Sequence, residues 1–283
     1  MIYLLISILS STAIFVVFKL FKKYEINILQ GIVVNYFTAS TLGFLLYKGS
    51  ISPTEIIASG WFIPAIALGF LFIAIFNVLG LTAQKNGLSV ASVASKMSVI
   101  IPVIFGIIVF NESVGTQKII GIILALIAVY LTAVKPKENV VLTQSIYLPI
   151  LLFLGSGIID TSINYFAPDD KIALFSATIF TMAAIIGTTL LIGKRIKTKI
   201  KFNFKSIPLG IALGLVNYCS IHFLLMALRL ENTESSTLFT INHIAILALS
   251  TLTGLILFKE KIFKMNWVGI ILALISIALV TLA

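Results

Sequence analysis

Apolar runs long enough to cross a lipid bilayer recur from one end of this 283-residue chain to the other. They fall near 2–21, 29–47, 59–81, 87–109, 117–134, 147–167, 172–193, 207–229, 235–258 and 266–282. A helix needs about 20 apolar residues to traverse the hydrocarbon core. The pattern therefore predicts ten membrane-spanning helices, with no gap long enough to hold a soluble domain. Lys22-Lys23-Tyr24-Glu25, Lys48-Gly49-Ser50, Lys85-Asn86-Gly87, Lys135-Pro136-Lys137 and Asp169-Asp170-Lys171 mark the breaks. A membrane β-barrel would show alternating strands of about ten residues instead. The expected fold class is an all-α membrane protein.

Composition excludes the soluble alternatives. The chain is 59% hydrophobic and 11% charged, with a mean hydropathy of +1.14. Soluble domains are about 45–50% apolar and about 25% charged, and disordered chains are poorer still in apolar residues. The first run is not a secretory leader, because no basic residue precedes it and Lys19, Lys22 and Lys23 follow it.

The basic residues set an orientation. Loops after odd-numbered runs carry 15 lysines and arginines, six of them between Lys194 and Lys205, whereas loops after even-numbered runs carry four. The positive-inside rule then puts the odd loops in the cytoplasm and both termini outside, in a plasma (inner) membrane. The net charge of +10 reads as membrane anchoring near anionic lipid rather than as nucleic-acid binding.

The chain also contains itself twice. Phe110-Asn-Glu112 leads to Gly121-Ile-Ile-Leu-Ala-Leu-Ile127, and Phe258-Lys-Glu260 leads to Gly269-Ile-Ile-Leu-Ala-Leu-Ile275, at an offset of 148 residues. Residues 1–136 and 137–283 thus each hold five spans. An odd number of spans per half turns the second copy upside down in the membrane. Such inverted repeats are typical of secondary transporters, whose substrate site lies near the midplane.

With five plus five spans, a small-residue-rich fourth run (Gly87 to Ser95) and two Phe-x-Glu motifs ahead of Gly-led helices, the chain resembles the drug/metabolite transporter superfamily, EamA type. The resemblance implies a ten-helix carrier working by alternating access, commonly an exporter of amino acids, other metabolites or drugs. Glu112, Gly121, Glu260 and Gly269 are its structural motif. Many members carry a basic residue early in the second span; here Asn35-Tyr36-Phe37 stands instead.

Ionisable groups inside a bilayer cost at least about 2.5–3.5 kcal/mol each and so mark function by default. Lys96, Asp160, His222 and His243 lie inside the runs. At 1.5 Å per residue their depths from the cytoplasmic face are roughly 14, 20, 23 and 18 Å, one central slab. Lys96 is either a cation for a substrate carboxylate or phosphate, or a permanent partner of Asp160. Asp160 either binds a substrate ammonium or carries a coupled proton. Together they suit a zwitterion, so an amino acid is the first expected substrate.

Asn242, Tyr218, Asn164 and Ser92 complete the candidate binding set, although polar stripes at helical spacing also join membrane helices. Gly210-xxx-Gly214, Gly121-xxx-Ala125 and Gly269-xxx-Ala273 fit close helix packing. A single cysteine, Cys219, and two histidines leave too few ligands for a metal centre. Phosphate-loop and nucleophile-elbow motifs are absent. The expected protein is therefore not an enzyme, needs no cofactor beyond a coupled proton, and acts as a monomer or homodimer. A lipid or hydrophobic-drug flippase and a non-transporting membrane binding or scaffold protein are the alternatives.

Overall fold

The computed structural model describes residues 1–85, 94–111, 115–133, 147–198, 203–230, 234–258 and 264–281. Eleven helices are labelled here: α1 (Ile2–Lys23), α2 (Ile28–Leu46), α3 (Pro53–Ala58), α4 (Phe62–Lys85), α5 (Ile100–Val109), α6 (Thr116–Ala133), α7 (Tyr147–Phe166), α8 (Ile172–Thr198), α9 (Ser206–Leu228), α10 (Ser235–Phe258) and α11 (Lys264–Thr281). No strand occurs among the described residues. This is an all-helical membrane protein. Among the described residues six helices (α1, α2, α4, α7, α8 and α9) are long and apolar enough to cross a bilayer. Shorter apolar helices, Ala94–Val109, Thr116–Ala128, Ser235–Ser250 and Trp267–Ser276, occupy the other predicted runs. The short, exposed α3 is the one helix that hydropathy did not predict; Pro53 at its first turn starts it.

Local chemistry ends these helices where the polar breaks predict. After α1, Glu25 takes a left-handed φ of 52°. The Ile26 amide then donates to the Phe21 carbonyl at 2.9 Å, and buried Ile26 packs on Phe21 beside Val17 and Leu213. That bond and contact define a Schellman cap. Glutamate is strained there, since the left-handed region costs an L-residue roughly 1–2 kcal/mol. Glu25→Gly is therefore expected to raise stability by about 0.5–1 kcal/mol after glycine's extra backbone entropy, read as a higher Tm in detergent. Asn27 caps α2 by accepting from the Gln30 amide at 3.2 Å.

The chain forms two compact units. The first comprises Met1–Asn77 and Ser162–Arg229, the second Val78–Thr161 and Leu230–Ala283, so each draws on both halves of the sequence. In the first unit α9 packs on α1, α2 and α8, and α2 packs on α8. Gly210 of α9 lies where an added Cβ would meet Val34 at 2.6 Å, and Gly214 where it would meet Thr38 at 2.5 Å. The predicted small-residue contact is thus an α9–α2 crossing. A buried hydrogen bond reinforces it, Asn217 donating to the Asn35 side chain at 3.1 Å, and another ties α1 to α9, Ser7 donating to the Ser220 carbonyl at 2.8 Å.

In the second unit α6 lies along α11, and α10 touches α5, α6 and α11. Ala125 and Ala128 of α6 pack on Ile244, with Leu272 of α11 against them. The Ser276 hydroxyl donates to the carbonyl of Gly121 at 2.6 Å. Gly121 and Gly269 are both buried, so the glycine-led motif serves helix contact.

Candidate functional site

The second unit brings together Lys96, Asp160, His243 and Asn242. Lys96 stands beside an interruption in the fourth apolar run, whose helical residues 94–97 and α5 are separated by a turn at Ser98 and Val99. Pro102 accounts for the turn. It has no N–H to offer the carbonyl four residues back, and its ring would crowd that carbonyl, which belongs to Ser98. The Ser98 carbonyl accepts instead from the Ile101 amide at 3.0 Å, and the Lys96 carbonyl from the Val99 amide at 3.3 Å. The Ser98 hydroxyl donates to the Ser95 carbonyl at 2.6 Å. A break at membrane depth next to a lysine is the arrangement that carriers use for binding. Pro102→Ala is expected to close it by restoring an amide for the Ser98 carbonyl, leaving the protein folded with a higher Tm in detergent.

Asp160 on α7 and His243 on α10 face each other, with His243 Nε2 3.2 Å from Asp160 Oδ2. The other ring nitrogen, Nδ1, lies 3.0 Å from the Phe239 carbonyl. A carbonyl only accepts, so Nδ1 must carry a hydrogen and donate. The contact between Nε2 and the carboxyl then needs one more proton, on the ring or on the acid. Without it a ring lone pair would face a carboxylate. Ring and carboxyl are thus placed so that one exchangeable proton can be shared between them. His243 is 3% exposed, and the Asp160 side chain keeps 21% of its exposure, so the acid is the accessible end.

The Asp160 carboxylate also acts electrostatically on half-buried Lys96. Sequence reading coupled Asp160 to Lys96; the structure adds His243 as its hydrogen-bond partner. Equal depth in the slab was the only signal of that in the sequence. Asn242, 3% exposed, keeps its side-chain oxygen buried with no hydrogen-bond partner among the described residues. Such an orphan acceptor is costly and suits a group that receives a donor from a ligand.

The first unit holds the other candidates. The Tyr218 hydroxyl is 3.3 Å from His222 Nδ1, and the two rings stack at 5.2 Å. Tyr218 is buried and continues an aromatic group in which Phe180 and Phe72 pack on Tyr36. Asn164 has a different task. Arg229, which hydropathy reading passed over as a loop residue, reaches its side-chain oxygen at 3.4 Å. The same guanidinium donates to the carbonyls of Asn164 and Ala167 at 3.0 and 2.6 Å, and pairs with Asp169. It thereby caps the end of α7. Ser92, Glu112 and Glu260 lie outside the described residues.

No family model matches this chain. An uncharacterised protein of Haemophilus influenzae (strain ATCC 51907 / DSM 11121 / KW20 / Rd) is 30% identical to it over 280 residues, spanning 97% of this chain and 95% of that protein. A protein crystal structure superposes on it with a TM-score of 0.73, covering 99% of this chain and 96% of its own, at 13% identity. At that identity the likeness is one of fold.

Proposed function

We propose that this chain, which belongs to the same family as the Haemophilus influenzae protein, is a secondary carrier for small zwitterions such as amino acids, coupled to protons. The observation that carries this reading is the 3.2 Å contact between Asp160 and His243, next to Lys96 and inside the apolar part of the chain. A substrate carboxylate would meet the lysine. A substrate ammonium would compete for Asp160 and release the proton, and Asn242 would accept from it. The same carboxyl would thus serve substrate and proton in turn, which is what couples two fluxes.

The drug/metabolite transporter resemblance supports the same mechanism: ten spans in two inverted halves, 1–136 and 137–283, that rock about a midplane site. In its favour, the segments Phe110–Ile127 and Phe258–Ile275 recur at an offset of 148 residues. Helices in corresponding positions of the halves also pack in pairs: α2 on α8, α5 on α10 and α6 on α11. The direction read from the resemblance is export across the inner membrane, with both termini outside by the charge bias. The phenylalanines of the first unit pack on one another around Tyr36, which favours a core over a lipid-lined passage for a flippase.

Proteoliposomes containing the full chain are expected to show counterflow of a labelled amino-acid mixture without ATP. A pH dye in the lumen should report proton movement opposite to substrate. Failure to exchange any member of a broad metabolite set would instead favour a binding or scaffold protein.

A further inference from the structure

Where the C-terminal part of α8 passes the start of α2, a small recess opens at the boundary of the hydrocarbon layer. Its level follows from the chain. The apolar span of α8 runs from Ile172 to Lys197, and that of α2 begins at Ile28. Lys194 and Arg195 line one side, both exposed at their positions. Asn27 and Gln30 line the other. Among the described residues the lining contains no acidic side chain, and the first turn of α2 has none either, so the positive end of that helix dipole adds to the two cations. Gln30 contributes no spare acceptor there: its oxygen accepts from the Asn203 amide at 2.8 Å and from Ser206 at 3.3 Å. Those bonds also hold the start of α9 beside the recess.

The remaining walls are apolar. Leu29, Leu191 and Ile192 line the recess, and Ile192 is 53% exposed on the span itself. Cations placed over aliphatic side chains, at the level where headgroup meets acyl chain, match an amphiphile better than a free anion. We infer that this recess binds an anionic glycerophospholipid, its phosphate against Lys194 and Arg195 and its acyl chain along Leu191 and Ile192. Basic pockets between membrane helices bind lipid headgroups on this principle, and the attraction is about 1 kcal/mol per basic residue. The charge bias of the loops puts the site in the cytoplasmic leaflet, where anionic lipid is available. This inference needs the membrane setting and is independent of what the carrier moves.

The test is native mass spectrometry of the full chain in neutral detergent, titrated with phosphatidylglycerol, phosphatidylcholine or inorganic phosphate. Phosphatidylglycerol is expected to stay bound where phosphatidylcholine does not. K194A/R195A should weaken that binding about 30-fold, two residues' contribution converted to affinity. K197A, on the same helix but outside the lining, should leave it within about twofold. Equal retention of the two lipids would overturn the inference. So would inorganic phosphate displacing phosphatidylglycerol at matched concentration, which marks a free-anion site, or K197A matching the double variant, which marks a diffuse basic surface. Both altered side chains are exposed, and an unchanged melting curve in lipid-free detergent separates lost binding from lost folding.

Discussion

Asp160→Asn is expected to abolish proton movement in proteoliposomes and to lower amino-acid counterflow on the order of 10- to 100-fold. The substitution keeps volume and lets an amide N–H donate to His243 Nε2, so the 3.2 Å contact survives with a neutral ring. What disappears is the site for the extra proton and the negative charge facing Lys96. A charge-assisted hydrogen bond contributes about 1.5–3 kcal/mol, which converts to that range of fold-changes. Lys96→Ala should lower counterflow comparably. If both variants transported as the parent does, the site would lie elsewhere. His243→Gln separates the roles further, because glutamine can hydrogen-bond Asp160 but offers no ring nitrogen to share its proton. Substrate binding should persist while the pH dependence of counterflow shifts, since the Asp160 carboxyl then carries the proton alone.

Gly214→Leu should leave little folded protein. A Cβ at this position would lie 2.5 Å from the Thr38 Cβ and 2.6 Å from the Asn35 carbonyl oxygen, and backbone of a packed helix does not yield to a methyl group. Gly214→Ala already overpacks the α9–α2 crossing at a cost of about 1–3 kcal/mol. Leucine must separate the helices and pull Asn217 from Asn35. Loss of the monodisperse peak in size-exclusion chromatography is the readout. Gly193→Ala on α8 is the control: nothing lies within 4 Å of its added Cβ, so the change should be neutral or stabilising by about 0.5–1 kcal/mol.

The two outcomes bear on different sources of information. The clash at Gly214 was foreshadowed by Gly210-xxx-Gly214, because small residues four apart form a smooth stripe that another helix can approach. Which helix approaches was not legible. The Asp160 site was half legible. Ionisable residues stand out against hydrocarbon, and rise per residue put them at one level. Arg229 was missed because a loop arginine looks like any anchor until the carbonyl ends of α7 are found beneath it. The turn at Ser98 and Val99 was readable in retrospect from Pro102 alone.

Sequence by itself determined the all-helical membrane class and the residues that must answer for their burial. Those are local consequences of hydropathy and charge. Only tertiary structure decided that His243 meets Asp160, that α9 lies on α2 and that each compact unit mixes both halves of the chain. The physical reason is that lipid and protein interior are equally apolar. A helix buried on one side by neighbours and on the other by acyl chains shows no polar face to say which side is which.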